Sequence, residues 1–439
     1  MTLRLSVIGT GYLGATHAAC MAELGFEVIG FDVDEEKIAT LRQGRVPFYE
    51  PGLPELLSKQ VDSGRLTFTT DINEVAEFAD VHFICVGTPQ KADGFGADLR
   101  YVHAAVESLA PLLTRECLVV GKSTVPSGTA AYLAQRIAEL APGKDAVELA
   151  WNPEFLREGF AVKDTLRPER LVIGVQSERA EKVLREIYAP LTDIEIPLIV
   201  TDFATAELVK VAANSFLATK ISFINAMAEI CETTGADVVQ LGAALALDSR
   251  IGGRFLHAGL GFGGGCLPKD IRAFMSRAEE LGAGDAVAFL REVDAINLRR
   301  RARMVDLARE QCDGEFAGHK VGVLGAAFKP NSDDIRDSPA LWVADTIRQE
   351  GAEVTLFDPE AMPNARKRYP QLNYADSAVA ACTGADVVLH LTEWAEFREM
   401  APEVLSDVVA KRRIVDGRNA LDATKWRDAG WTYRALGRP

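Results

Sequence analysis

The segment Gly261-Phe262-Gly263-Gly264-Gly265-Cys266-Leu267-Pro268-Lys269-Asp270 sets a thiol at the end of a glycine run, with a cation and a carboxylate just after it. Three consecutive glycines remove bulk beside the one nucleophilic atom, so a ligand can approach the backbone there. Taken alone, the same residues also fit a flexible loop carrying a buried, inert cysteine. Two other spacings bear on the choice. Lys210 and Asn214 are four apart in an alanine-rich helical pattern, so they share one face, where a cation and an amide donor can oppose an oxyanion. A lysine snorkelling to water is the plainer alternative. Asn152-Pro153-Glu154-Phe155-Leu156-Arg157-Glu158-Gly159 adds two carboxylates that share a face if the segment is helical, and a solvated helix start reads equally well.

These groups need elements to hold them. Residues 3–8 form a short β-rich run, followed by Gly9-Thr10-Gly11-Tyr12-Leu13-Gly14 and a helical pattern. Gly9 permits the tight turn, Gly11 lets a pyrophosphate approach the helix N-terminus, and Gly14 allows close helix-to-strand packing. Gly25 stops the helix, and the next strand ends at Asp32, placed to accept hydrogen bonds from ribose hydroxyls. A carboxylate there would repel a 2′-phosphate, which predicts NAD rather than NADP. Lys37 falls on the following helix, either flanking the adenosine or simply solvated. Strands at 81–86, 118–122 and 149–151 end in Gly87-Thr88-Pro89, Ser123-Thr124-Val125-Pro126 and Asn152-Pro153-Glu154, so their carboxyl ends line one ligand crevice. Ser123 and Thr124 read equally as caps of the next helix.

From Thr201 the pattern is helical for about a hundred residues, and its long apolar helix suits dimer packing. After it the chain echoes its own beginning. Lys320-Val321-Gly322-Val323-Leu324-Gly325 resembles the first strand, and Gly351 to Asp358 parallels Gly25 to Asp32. The second copy lacks the phosphate fingerprint and has a longer first connection holding Lys329 and Arg336. It therefore predicts a different ligand, with those two as candidate cations or solvated loop charges. The fold class is α/β: two Rossmann-like doubly wound parallel-sheet domains, residues 1–200 and 314–439, joined by a long helical segment, 201–313.

Composition removes other classes. The 439 residues carry a formal charge of −15, which argues against a nucleic-acid or anionic-membrane surface. No apolar run reaches membrane-spanning length, and the N-terminus runs straight into a strand pattern without a signal-peptide cleavage region, which predicts a cytoplasmic protein. Seven scattered cysteines without a C-x-x-C pair read as reduced thiols, and six widely spaced histidines give no metal-ligand pairing.

Six segments, Gly9 to Gly14, Ser123 to Pro126, Asn152 to Gly159, Glu207 to Asn214, Gly261 to Asp270 and Gly325 to Ser338, stand in an order that closely resembles the UDP-glucose/GDP-mannose dehydrogenase family over nearly the whole chain. The resemblance implies a four-electron oxidation of a sugar C6 alcohol to a carboxylate, using two NAD+ and one water. UDP-glucose is the first substrate it suggests, with GDP-mannose or UDP-N-acetylmannosamine as alternatives. By the family's pattern Cys266 forms a thiohemiacetal and then a thioester, and nearby positive charge favours its thiolate. Lys210 and Asn214 match the oxyanion-stabilising pair, while Asp270, Thr124, Glu154 and Glu158 match positions that handle water and protons. Gly9, Gly11, Gly14, Asp32, Lys37, Thr88, Ser123, Lys269 and Arg336 match cofactor contacts. Phe155, Leu156, Arg157, Phe262, Phe328, Lys329 and Arg418 match substrate positions, as does Arg250, which in the family reaches across a dimer interface; a homodimer through the central helix is thus implied. Gly265 departs from the family's more frequent serine, and His257 from a lysine in some members. A non-catalytic nucleotide-sugar-binding protein is the rival of another class, although binding alone needs no nucleophile. A single-oxidation hydroxyacid dehydrogenase leaves Cys266 and the second nucleotide unit without purpose.

Overall fold

A computed structural model of the chain describes residues 3–439. Contacts divide it into two compact units, Met1–Ala213 with Arg272–Leu281, and Asn214–Ile271 with Gly282–Pro439. Residues 201–313 are shared between the two.

The first unit is built on eight strands, β1 (Arg4–Ile8), β2 (Glu27–Phe31), β3 (Leu66–Thr69), β4 (Val81–Ile84), β5 (Cys117–Gly121), β6 (Val147–Trp151), β7 (Leu171–Gly174) and β8 (Leu198–Thr201). Their order is β3-β2-β1-β4-β5-β6-β7-β8, and only the β6–β7 pairing is antiparallel. Strands buried on both faces need near-continuous apolar runs, which Leu5, Val7 and Ile8 or Val119 and Val120 supply. The order reverses between β1 and β4, and this switch point opens the crevice above their carboxyl ends. Gly121 ends β5 because the Trp151 ring fills its flank; a Cβ there would lie 2.0 Å from that ring.

The second unit contains β9 (Lys320–Leu324), β10 (Glu353–Phe357), β11 (Asn373–Tyr374), β12 (Val387–His390), β13 (Arg413–Asp416) and β14 (Thr432–Ala435), all parallel, in the order β11-β10-β9-β12-β13-β14. This repeats the order of the first six strands of unit one, so the internal echo in the sequence is a repeated topology. The acids of the two copies differ in their surroundings. Asp358 is fully buried, and its two oxygens accept from Ala326, Ala327, Glu360 and Ala361 N–H and from Trp394 Nε1. Its capacity is spent within the fold, which removes it as a ribose acceptor.

The Phe203–Thr234 helix leads from β8 into unit two. The helical pattern is interrupted after the Val238–Ala246 helix: residues 247–266 are irregular, and helix resumes at Leu267–Glu280 and Phe289–Gln311. The interruption coincides with seven glycines between 252 and 265, each of which weakens a helix.

Candidate active site

In unit one the Gly9 turn has φ +90°, and a Cβ on Gly14 would lie 1.8 Å from the Gly9 carbonyl oxygen. Nothing lies within 4 Å of the equivalent point on Gly11, so the face of the turn is open. Beside it, Asp32 Oδ2 accepts from Thr10 N at 2.9 Å and Lys37 Nζ at 2.8 Å. Burial pushes the Asp32 carboxyl up, but Lys37 and the N–H groups of Asp34 and Thr10 pull harder, leaving it below the ordinary aspartate value. Lys37 thus pairs with Asp32.

The crevice loops are stitched to one another. Ser123 Oγ donates to Val86 O at 2.7 Å, and Thr88 Oγ1 donates to the Thr124 carbonyl at 2.8 Å. Neither Ser123 nor Thr124 caps the Thr129–Leu140 helix. Its N-cap is Gly128, and the anion at that end is Glu207, whose oxygens accept from Gly128 N and Ala130 N, each at 2.7 Å.

The 152–158 stretch is an extended loop, contrary to the helical reading that would have put Glu154 and Glu158 on one face. Pro153 offers no N–H, and Glu154 Oε1 takes the Phe155 and Leu156 N–H groups at 2.7 and 2.9 Å, which competes with helix formation. Glu154 Oε2 instead meets Lys122 Nζ at 3.0 Å. Glu158 is buried, and the neighbouring Gly159 and Ala161 N–H groups are held by buried Glu50 at 2.6 and 2.7 Å. Arg157 forms a two-pronged pair with Asp164. Lys210, 9% exposed, sets its Nζ 5.4 Å from the centre of the Phe155 ring. Unit one thus gathers Lys210, Phe155, Leu156 and Glu154.

In unit two Cys266 is exposed, whereas the other six cysteines of the chain are buried. Its carbonyl accepts from Asp270 N at 2.9 Å, the first bond of the Leu267–Glu280 helix. Asp270, 2% exposed, accepts from Asn214 Nδ2 at 2.7 Å and Lys269 Nζ at 2.5 Å. Lys269 is thereby tied to the carboxylate beside the thiol.

The glycine run is packed, not open. A Cβ on Gly263 would meet the Asp337 carbonyl at 2.3 Å, on Gly264 the Phe328 ring at 2.7 Å, and on Gly265 the Arg336 guanidinium at 2.2 Å. The smallness of these residues therefore lets the 328–337 loop pack against the thiol segment. Arg336 also pairs with Asp334 through Nε and Nη2 at 2.9 and 2.8 Å. Arg418 donates to the carbonyls of Leu391, Gly261 and Phe328 at 2.7, 2.9 and 3.0 Å, clamping both loops. Phe262 is buried, its main chain bracketed by Asn297 at 2.7 and 2.9 Å. Lys329 Nζ stands 5.3 Å from the Phe328 ring. Arg250 stands apart at the surface, 87% exposed and paired with Asp248. Lys122, Glu50, Glu207 and Asn297 were not singled out from the sequence as site groups. A lysine ending an apolar strand is the one signal that pointed to any of them.

Among the described residues no cluster of three or more His, Cys, Asp or Glu is arranged to hold a metal ion. Among the described residues no helix is long and apolar enough to cross a membrane.

Residues 3–192 match the NAD binding domain of the UDP-glucose/GDP-mannose dehydrogenase family, residues 204–299 its central domain and residues 322–423 its UDP binding domain. The chain belongs to the UDP-glucose/GDP-mannose dehydrogenase family. It is 42% identical to a UDP-glucose 6-dehydrogenase of Rhizobium meliloti, over the full length of both chains. It is 41% identical to one of Bacillus subtilis, over 99% of this chain and 93% of that one. A UDP-glucose dehydrogenase structure from Pyrobaculum islandicum superposes with a TM-score of 0.92 at 39% identity, covering 100% of this chain and 98% of that one. A UDP-D-ManNAc dehydrogenase from Pyrococcus horikoshii gives 0.86 at 29% identity, covering 99% of each. As in other members of this dehydrogenase family, NAD is the cofactor, and the residues fit it: the open face of Gly11, the packed Gly14 and the ionised Asp32 make a cradle for pyrophosphate and ribose.

Proposed function

We propose that this dehydrogenase oxidises UDP-glucose at C6 to UDP-glucuronate, with Cys266 as covalent nucleophile. The observation that carries the mechanism is that Cys266 is the exposed thiol of the chain and stands at a helix N-terminus beside the Lys269–Asp270–Asn214 cluster. Unpaired N–H groups at such an end favour an anionic sulfur. Identity of 42% and 41% with UDP-glucose 6-dehydrogenases, against 29% with the UDP-D-ManNAc dehydrogenase, supports UDP-glucose over the amino sugar.

When bound, NAD+ supplies a hydride acceptor for each of the two oxidations. Lys210 and Asn214, one helical turn apart, are the donors to an oxygen that gains negative charge. The Cys266 sulfur bonds to the aldehyde carbon, and loss of hydride leaves a thioester. Water then attacks the acyl carbon, the C–S bond breaks, and carboxylate and thiol are released. Among the groups proposed to handle protons, Asp270, Thr124, Glu154 and Glu158, Glu154 is the one ion-paired to a buried lysine. In the second unit Phe262, Phe328, Lys329 and Arg418 are the groups for UDP-sugar contact, with Phe155, Leu156 and Arg157 from the first. Arg336 and Lys269 join Thr88 and Ser123 in cofactor binding.

Phe216, Phe223 and Ile230 are 67%, 49% and 57% exposed at seven-residue spacing on the Phe203–Thr234 helix. An apolar seam of this period supports a homodimer through that helix, with Arg250 reaching the partner. Light scattering checks it: a dimer is expected, and a monomer after Phe223→Glu. Seven free cysteines, six of them buried, suit a reducing cytoplasm. The function itself is tested by initial rates with NAD+ on UDP-glucose, GDP-mannose and UDP-N-acetylmannosamine; a clear preference for either of the last two overturns the substrate assignment.

A further inference from the structure

We infer that His390 is a positioning residue for nucleotide binding: through Asp416 it fixes the turn that carries Arg418, and so the guanidinium that meets UDP. The inference deepens the reading above and rests on its assignment of Arg418 to UDP-sugar contact. All the groups involved lie in the second unit.

His390 ends β12 and Asp416 ends β13, directly opposite each other in the parallel register. The strand order of this sheet reverses between β9 and β12, so both residues stand at carboxyl ends beside the switch point, where such sheets bind nucleotides. Val387, Val388 and Leu389 are fully buried, and so is His390 after them. An aliphatic side chain would fill that place at no polar cost, whereas a buried imidazole needs a partner. It has one. Nδ1 lies 2.9 Å from Asp416 Oδ1, while Nε2 is buried without a partner. The Phe397 ring closes the flank of the imidazole edge-on, at 6.4 Å between centroids.

Asp416, also fully buried, divides its two oxygens between side chain and main chain. Oδ1 faces His390 Nδ1 and accepts from Arg418 N, each at 2.9 Å. Oδ2 accepts from Tyr433 OH at 3.0 Å and from Leu421 N at 2.8 Å. Burial pushes the Asp416 carboxyl up, but His390 and the Leu421 and Arg418 N–H groups outweigh it and leave the group below the ordinary aspartate value. Burial and the Asp416 anion push the Tyr433 hydroxyl up, so it keeps its proton and donates. The carboxylate is thus a template for residues 417–421: two main-chain N–H groups hang the turn on it, and two side chains hold it from the neighbouring strands. Within that turn Asn419 has φ +54°, a conformation uncommon outside glycine that the surrounding bonds must impose.

His390 and Arg418 share one oxygen, and Tyr433 and Leu421 share the other. The imidazole therefore sets the atom from which Arg418 hangs. Of the five N–H groups of a guanidinium, three go to the carbonyls of Leu391, Gly261 and Phe328, with Glu393 Oε2 3.3 Å from Nε. One N–H on each terminal nitrogen is left for an oxygen of UDP, a fork whose aim depends on where its main chain is fixed.

The test measures UDP binding to the full-length enzyme by calorimetry, with steady-state kinetics on the same preparations. His390→Leu removes the donor at similar bulk and is expected to weaken UDP about tenfold. KM for UDP-glucose should rise in step, while KM for NAD+, whose cradle lies in the first unit, should stay within about twofold. His390→Asn places Nδ2 where Nδ1 was, one bond beyond Cγ, and should restore most of the affinity. Tyr433→Phe frees the other oxygen and should change UDP affinity less than about twofold. Unchanged UDP affinity in His390→Leu overturns the inference, and so does a loss in Tyr433→Phe as large as in His390→Leu, since both would then act as general core contacts. Losing a donor to a buried carboxylate can prevent folding, so wild-type enzyme gives a second arm. Without UDP, its Arg418 and Leu421 amides should exchange with deuterium at least about a hundredfold slower than in an unfolded chain; faster exchange means the turn is not set in advance and overturns the inference. If wild-type enzyme fails to bind UDP, or Arg418→Ala binds it as tightly as wild type, the assignment of Arg418 falls and the inference with it, a result distinct from normal UDP binding by His390→Leu alone.

Discussion

The Asn214 side-chain amide donates to Asp270 Oδ2 at 2.7 Å while Lys269 holds the other carboxylate oxygen, so the acid beside the thiol has a fixed orientation. Asp270→Asn replaces that acceptor with an amide facing another amide and leaves Lys269 without its countercharge. A fall in kcat of about a hundredfold or more is expected, in the range of lost acid–base groups. If Asn214 and Asp270 act as a unit, the double variant is little worse than the poorer single variant. Steady-state kinetics of the three variants, with melting curves to establish folding, check this.

Because six of the seven cysteines are buried, native enzyme should take up one equivalent of iodoacetamide and lose activity in step, while unfolded enzyme takes up seven. Cys266→Ser should take up none when native and should lose sustained uronate production. Native labelling spread over several sites would contradict the burial pattern.

Glu207 caps a helix from a different helix, and it stands one turn before Lys210. Glu207→Ala orphans the buried Ala130 N–H and the more exposed Gly128 N–H at the Thr129–Leu140 helix. The expected loss is about 1–3 kcal/mol of stability, together with lower kcat as the Lys210 helix loosens from the start of the Thr129–Leu140 helix. Chemical denaturation and kinetics on the same preparation measure both.

Glu232 accepts from Arg300 at 2.9 Å and Arg303 at 2.6 Å, and Arg300 is 1% exposed. Burial pushes the Glu232 carboxyl up, yet the two guanidinium groups outweigh it, so its folded value lies below the ordinary one. Its contribution is therefore present above the unfolded value, about pH 4.3, and is lost as pH falls through the folded value. Glu232→Gln should lower Tm by a constant amount from pH 8 to 5, and the gap should narrow below that. A gap that widens on acidification would reverse the sign.

What was legible in the sequence is what is local in it. Gly9, Gly11, Gly14 and Asp32 act through one turn and the strand beside it, so their spacing alone predicts a dinucleotide cradle. The repeated strand order was readable because Gly325 and Asp358 recur at matching places in the second copy. The partners that tune the site are distant in sequence: Lys122 and Glu154, Glu207 and Gly128, Arg418 and Gly261. No spacing announces such pairs, because the sheet brings them together. The glycines before Cys266 show the other limit. Their smallness was visible, but only packing reveals that Phe328, Arg336 and Asp337 use it.

The most direct measurement is the number of NADH formed per UDP-glucose consumed by purified enzyme under excess NAD+. Two NADH and one UDP-glucuronate per sugar are predicted. One NADH with free aldehyde as the end product, or no turnover, would contradict the account.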